Sequence, residues 1–217
     1  LTGIHPPEHG LRIDGFGRLP PAIATITESF AAAGFATAAF LTSPRLAALH
    51  GLDRAFGVYD APEPGAAHAL LLHAPLALTP GPDGAPPAAP LPPPFPDHTD
   101  SAAGGRFRAW LGRLKPGTPW FAWVQLSSPA LPRLDAAGRP LDAADTNGYL
   151  RAVEAADAAI GTVLDALAAS PGAAGTVVCV TAPSGESLGE NGETGHGLLL
   201  RAPTRQVPGL LRLPGGR

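Results

Sequence analysis

The residues best suited to chemistry lie near the end of the chain. Gly185-Glu186-Ser187-Leu188-Gly189 fits G-x-S-x-G, which places a serine hydroxyl on a sharp turn after a strand. A serine nucleophile needs a base, most often His, and an acid to orient it. Beyond Ser187 the chain offers Glu190, Glu193 and His196, and there is no Asp after Asp165. His196 follows the serine by only nine positions, too few for it to return on a separate strand-end loop. A glycine-rich loop that matches by composition is therefore the better reading, and a serine hydrolase acting through Ser187 the weaker one. Cys179 lies within a run of valines and has no basic residue beside it to activate it, so it is expected to be buried as a small hydrophobe. His5 and His9 fall in a turn containing Pro and Gly, and His68, His73 and His98 in or beside a Pro-rich stretch. The Pro- and Gly-rich settings offer these histidines no regular helix face on which to share a metal, so all five are expected to be loop or surface residues.

These groups must be positioned by a scaffold, and composition bounds what it is. The 217 residues suffice for one domain with a real core. A net charge of -3 and no basic stripe argue against a nucleic-acid partner. A single cysteine excludes an internal disulfide and a Cys-rich metal site. The apolar runs are far shorter than a membrane span, so no transmembrane segment is expected. The sequence contains no Met, so a processed product or a piece of a longer chain is expected. Residues 61–98 are dominated by Pro, Ala, Gly and Leu and are read as a long loop or insertion within a single domain over 1–217.

Thr25-Ile26-Thr27-Glu28 is a capping-box pattern, followed by Phe30 and Ala33 at helical spacing and by Gly34 as a stop. Phe35 to Thr42 reads as a buried strand. Asp100 is placed to cap a second helix with Phe107, Trp110, Leu111 and Leu114 on one face, although Gly104-Gly105 weakens it. Trp120 to Leu126 reads as a strand. Tyr149, Val153, Ala156, Ile160, Val163, Leu164 and Leu167 follow the i, i+3, i+4 rule, with Asp145 or Thr146 as cap. Thr176 to Thr181 reads as a buried parallel strand and Val207 to Leu213 as the last strand. The alternation gives an α/β class, a mostly parallel sheet flanked by helices. Sites in such sheets form at the carboxyl ends of the strands, here the loops after Leu126 and Thr181.

A long stretch of the tail carries a resemblance. Val178-Cys179-Val180-Thr181-Ala182-Pro183-Ser184-Gly185-Glu186-Ser187-Leu188-Gly189-Glu190-Asn191-Gly192-Glu193-Thr194-Gly195-His196-Gly197 is similar to the sulfatase segment V-V-V-T-[SA]-D-H-G-E-S-L-G-E-H-G-E-x-x-H-G. Pro119 to Ala130 resembles P-F-F-x-W-V-H-L-F-D-P-H, and Tyr149 to Leu167 resembles a helix of the same family. Leu1-Thr2-Gly3 with His9-Gly10, Gly51 to Asp60 and Ala202 to Arg212 follow that family's order. The resemblance, to the sulfatases of the alkaline-phosphatase-like superfamily, covers nearly all of the chain except the Pro-rich stretch.

That resemblance implies an alkaline-phosphatase-like α/β fold, here expected to be incomplete at both ends. It implies a divalent cation, usually Ca²⁺, held by oxygen ligands, and a nucleophile that attacks sulfur or phosphorus. The family's acidic ligands of the first strand and its nucleophile would precede Leu1. Its D-H pair falls on Pro183 and Ser184, and the Asp and His of its D-P-H segment on Ser128 and Ala130. A further family His falls on Asn191, and the C-x-P-S-R nucleophile motif finds no match at Cys179. His196 is the retained family position, with a plain loop histidine as its alternative. A catalytically inactive sulfatase-like domain with no cofactor is therefore expected. The alternative is an active metal-dependent hydrolase of small sulfuric esters or phosphodiesters with an altered site.

Overall fold

The computed structural model describes residues 1–11, 17–63, 98–130, 133, 144–197 and 199–215. The long loop expected over 61–98, with His68 and His73, lies almost wholly outside the described residues.

The central unit is a parallel three-stranded sheet of order β2-β1-β3, formed by β1 (Ala36–Leu41), β2 (Val58–Asp60) and β3 (Trp120–Gln125). β1 is the middle strand, and every residue from Thr37 to Leu41 is buried. Burial on both faces is why this strand shows an apolar run rather than alternation. On one face lie α3 (Asp100–Leu111) and α4 (Thr146–Ala168). Ala38 and Phe40 meet Phe107, Trp110, Ala166 and Leu167 there in one cluster, with Phe40 edge-on to Phe107 at 6.0 Å. On the other face Phe121 stacks on Phe30 of α2 (Ile26–Ala32) at 4.5 Å.

The first helix start follows the sequence. Thr25 Oγ1 accepts from the Glu28 amide at 3.3 Å, and Glu28 accepts from the Thr25 amide at 2.7 Å. Asp100 departs from expectation. Thr99 occupies the cap position, and the buried Asp100 carboxylate instead accepts the backbone N–H groups of Ser127 and Ser128, at 2.9 and 2.7 Å. A carboxylate with two fixed donors across a tertiary contact gains more than one capping its own helix. Gly104 has a packing reason. A Cβ there would lie 2.1 Å from Thr162 Oγ1, so the bare backbone lets α3 and α4 approach. At the other end of α4, Asp145 stands at the cap position without a side-chain hydrogen bond to the helix.

The strand read as buried and parallel is neither. β4 (Val178–Thr181) pairs antiparallel with β7 (Gly209–Arg212), and only its alternate residues are partly covered. Val177 is 55% exposed and Cys179 is exposed, so the cysteine is not the buried hydrophobe expected. Apolar β-branched residues favour a strand but do not choose its neighbours. A hairpin of β5 (Ser187–Leu188) and β6 (Thr194–Gly195) follows, then the short α5 (Ala202–Arg205). The turn carrying His5 and His9 is a short helix, α1 (Pro6–His9). Among the described residues no helix is long and apolar enough to cross a membrane.

Candidate functional site

The loops after β3 and β4 carry the sequence positions singled out for chemistry. After β3 the chain is tied into the sheet. Gln125 Oε1 accepts from the Thr42 amide at 3.2 Å, and Thr42 Oγ1 lies 3.0 Å from Ser127 Oγ. Ser127 to Ala130 then closes a turn, with the Ala130 amide on the Ser127 carbonyl at 2.9 Å. Ser128 is fixed through its amide on Asp100. This turn therefore presents a serine hydroxyl at Ser128 and only a methyl group at Ala130.

After β4 the chain runs through an exposed Pro183 and a half-buried Ser184 to Gly185. The Gly185 amide donates to the Thr204 carbonyl at 3.0 Å, and a Cβ at Gly185 would lie 2.0 Å from the Pro203 carbonyl oxygen. Glycine thus allows this loop to lie directly on α5. Glu186, next in line, has a carboxylate side chain only 7% exposed. His196 Nδ1 lies 2.7 Å from Glu186 Oε2, and Arg133 Nη1 lies 3.9 Å from Glu186 Oε1. The Arg133 guanidinium also sits over the Tyr149 ring at 5.4 Å, in the first turns of α4. Glu186 therefore links the loop after β3, through Arg133, to His196 beyond β6.

Ser187 does not sit on a nucleophile elbow. It begins the β5–β6 hairpin, is 1% exposed, and pairs with Gly195 in the ladder. Its Oγ donates to Glu190 Oε2 at 3.0 Å and to the Glu190 carbonyl at 3.2 Å. The Leu188 amide also donates to Glu190 Oε2, at 2.6 Å. These donors, Leu188 first, hold the Glu190 carboxyl below the usual carboxylate range. With Ser187 on Glu190 and the His196 Nδ1 on Glu186, the structure does not assemble a Ser–His pair. Buried Glu193 likewise organises the loop, accepting from the Leu199 amide at 3.0 Å.

The fold raises the question of a divalent cation, and the donor set answers it poorly. Ca²⁺ takes six to eight oxygen ligands, carboxylates prominent among them. Pro183 offers no side-chain donor, Ser184 and Ser128 one neutral hydroxyl each, and Ala130 none. The nearby carboxylate, Glu186, is engaged by His196 and Arg133. Among the described residues no group of three or more His, Cys, Asp or Glu side chains is arranged to hold a metal. The described residues of the two strand-end loops do not by themselves fit the ion.

Arg133, Glu186 and Asp100 are the site residues that sequence reasoning missed. Glu186 was visible inside the matched tail segment but had no partner to reveal its role. The partner lies ten positions on in the chain, and Arg133 lies on another loop.

No protein-family profile matches the sequence, and no curated protein matches it. Solved structures do. The phosphonate monoester hydrolase of Agrobacterium radiobacter is 18% identical with a TM-score of 0.63, over 99% of this chain and 57% of its own. A putative sulfatase from Bacteroides thetaiotaomicron VPI-5482 is 16% identical with a TM-score of 0.61, over 99% and 52%. A 2-O GAG sulfatase is 16% identical with a TM-score of 0.57, over 98% and 52%. The chain has the sulfatase, alkaline-phosphatase-like fold, and it spans about half the length of the solved structures it matches.

Proposed function

We propose that this chain is a sulfatase-like domain without hydrolytic competence of its own. The observation that carries the reading is the end of β4. There a strand and loop of the right fold present Pro183 and Ser184, and the described turn after β3 presents Ser128 and Ala130, so none of these four positions supplies a carboxylate for a cation. The proteins of similar fold are named as hydrolases of phosphonate monoesters and as sulfatases. Such esters are anionic, and their hydrolysis needs the developing charge to be neutralised at the reacting centre. The described strand ends do not provide that. What remains is His196, held by Glu186.

One observation favours a second reading, an active metal-dependent hydrolase of sulfuric esters or phosphodiesters with an altered site. The His196 ring is oriented by a nearly buried carboxylate, an arrangement suited to proton transfer at its other nitrogen.

A metal titration separates the two. The purified chain is melted in the presence of increasing Ca²⁺ or Mn²⁺ and assayed with an aryl sulfate and an aryl phosphonate monoester. A cation present at a hundred times its Kd would raise Tm by roughly 5–11 °C. The expected result is no metal-dependent rise and no turnover. A saturable rise accompanied by turnover that is lost in His196→Ala would establish the second reading instead.

A further inference from the structure

Outside the strand-end site, three charged or titratable side chains converge where β2 ends and α3 begins. Asp60 is the last residue of β2, His98 lies just before α3, and Arg106 is on α3. Asp60 Oδ1 is 2.8 Å from His98 Nε2 and 3.0 Å from Arg106 Nη1. The three side chains are 18–27% exposed, so water screens the contacts only in part. The Arg106 guanidinium nitrogens are buried without an aligned hydrogen bond, and Asp60 is the counter-charge beside them. His98 is thus a loop histidine, as its sequence setting suggests, and one held by Asp60.

The strand that this group terminates needs such support. Among the described residues β2 is a three-residue edge strand that pairs with β1 alone, and its Val58 is 39% exposed. So short an edge has little ladder or apolar burial to hold it. Asp60 ends β2 and His98 directly precedes α3, so the Asp60–His98 contact joins two elements whose residues stand 38 positions apart in the chain.

We propose that Asp60, His98 and Arg106 form a clasp that pins the end of β2 to the start of α3, and that holds β2 in the sheet independently of residues 64–97. His98 acts as donor to Asp60 through Nε2–H, and Arg106 supplies the permanent positive charge.

Hydrogen exchange read by mass spectrometry on the whole chain tests this. In Asp60→Asn the amides of residues 58–60 and 98–102 are expected to exchange about tenfold faster or more, while β3 and β4 stay as in the parent. His98→Gln, which keeps a donor, is expected to retain more protection than His98→Ala. A variant with residues 64–97 replaced by a short Gly/Ser linker is expected to fold and to keep the parent's protection in β2. Unchanged β2 protection in Asp60→Asn would overturn the clasp. Loss of β2 protection in the linker variant, or its failure to fold, would overturn the independence.

Discussion

The two adjacent glycines of α3 should respond in opposite directions to the same substitution. Gly104 and Gly105 both lie inside the helix, where replacing Gly by Ala is worth roughly 1 kcal/mol in intrinsic propensity. At Gly105 nothing lies within 4 Å of the added Cβ, so that gain stands unopposed. At Gly104 the added Cβ would lie 2.1 Å from Thr162 Oγ1, 2.7 Å from Thr162 Cβ and 2.9 Å from the Thr162 carbonyl carbon. The hydroxyl could rotate only by giving up its 2.8 Å bond to the Ala159 carbonyl, and the carbonyl carbon cannot rotate away. The helices must separate, and overpacking of this kind costs about 1–3 kcal/mol. Buried Ala103 and Phe107 of α3 and Ala166 and Leu167 of α4 would share the displacement. After the propensity gain, the net effect of Gly104→Ala is a loss of up to about 2 kcal/mol, or a fall in Tm of up to roughly 8 °C for a chain of this size. Gly105→Ala should raise Tm by about 1–4 °C. Calorimetric melts of both variants, with Gly104→Ala/Thr162→Ala as a third, provide the assay. Removing the hydroxyl leaves Cβ and the backbone in the way, so the double variant should recover only part of the loss. If Gly104→Ala melts as high as Gly105→Ala, the close approach of α3 and α4 is wrong.

Asp100→Ala should lower the urea midpoint by an amount corresponding to about 2–3 kcal/mol, because it strands the part-buried amides of Ser127 and Ser128. Asp100→Asn, which keeps one acceptor, should lose about half as much, and equal effects would argue against this anchor. The Glu28 carboxyl is held below its ordinary value of 4.5, first by the Thr25 amide and also by the Thr25 hydroxyl and Arg54. A carboxyl depressed in the folded state contributes stability that is fully present above the unfolded value and is lost as pH falls through the folded one. Melts between pH 6 and pH 3 should therefore drop less steeply in Glu28→Gln than in the parent, and parallel curves would refute the assignment.

Local signals reported themselves well in the sequence. The capping box at Thr25 and Glu28, the apolar run of β1 and the helical periodicity of α4 each depend on neighbours a few positions away, and each element stands in the structure, although Val153 of the α4 stripe is exposed and Ala159 and Ala166 are buried beside it. What depended on distant partners did not report itself. The valines around Cys179 announce a strand, yet only the pairing with Leu210 and Leu211 decides that it runs antiparallel and half exposed. Asp100 looks like a cap until Ser127 and Ser128 are brought to it, 27 and 28 positions away. At the candidate site the positions Pro183, Ser184, Ser128, Ala130 and His196 were marked by resemblance. The Glu186 link between Arg133 and His196 was legible only once the two loops had been folded together.

The hydrogen bonds that shape the two loops show which side chains the loop paths depend on. The loop after β4 is held by the Gly185 amide on Thr204, by Ser187 on Glu190 and by Glu193 on Leu199. The loop after β3 is held by Asp100 and by the Thr42–Ser127 contact. Neither set of bonds uses the side chain of Pro183, Ser184, Ser128 or Ala130. Substitution at those four positions would leave the bonds that set the loop path. Gly185 is the contrary case. It too stands at the end of β4, but its bare Cα is required by the carbonyls of Pro203 and Gln206, so the fold itself retains it. The two adjacent residues at this strand end are therefore held differently, Gly185 by packing against α5 and Ser184, among the described residues, by no side-chain hydrogen bond.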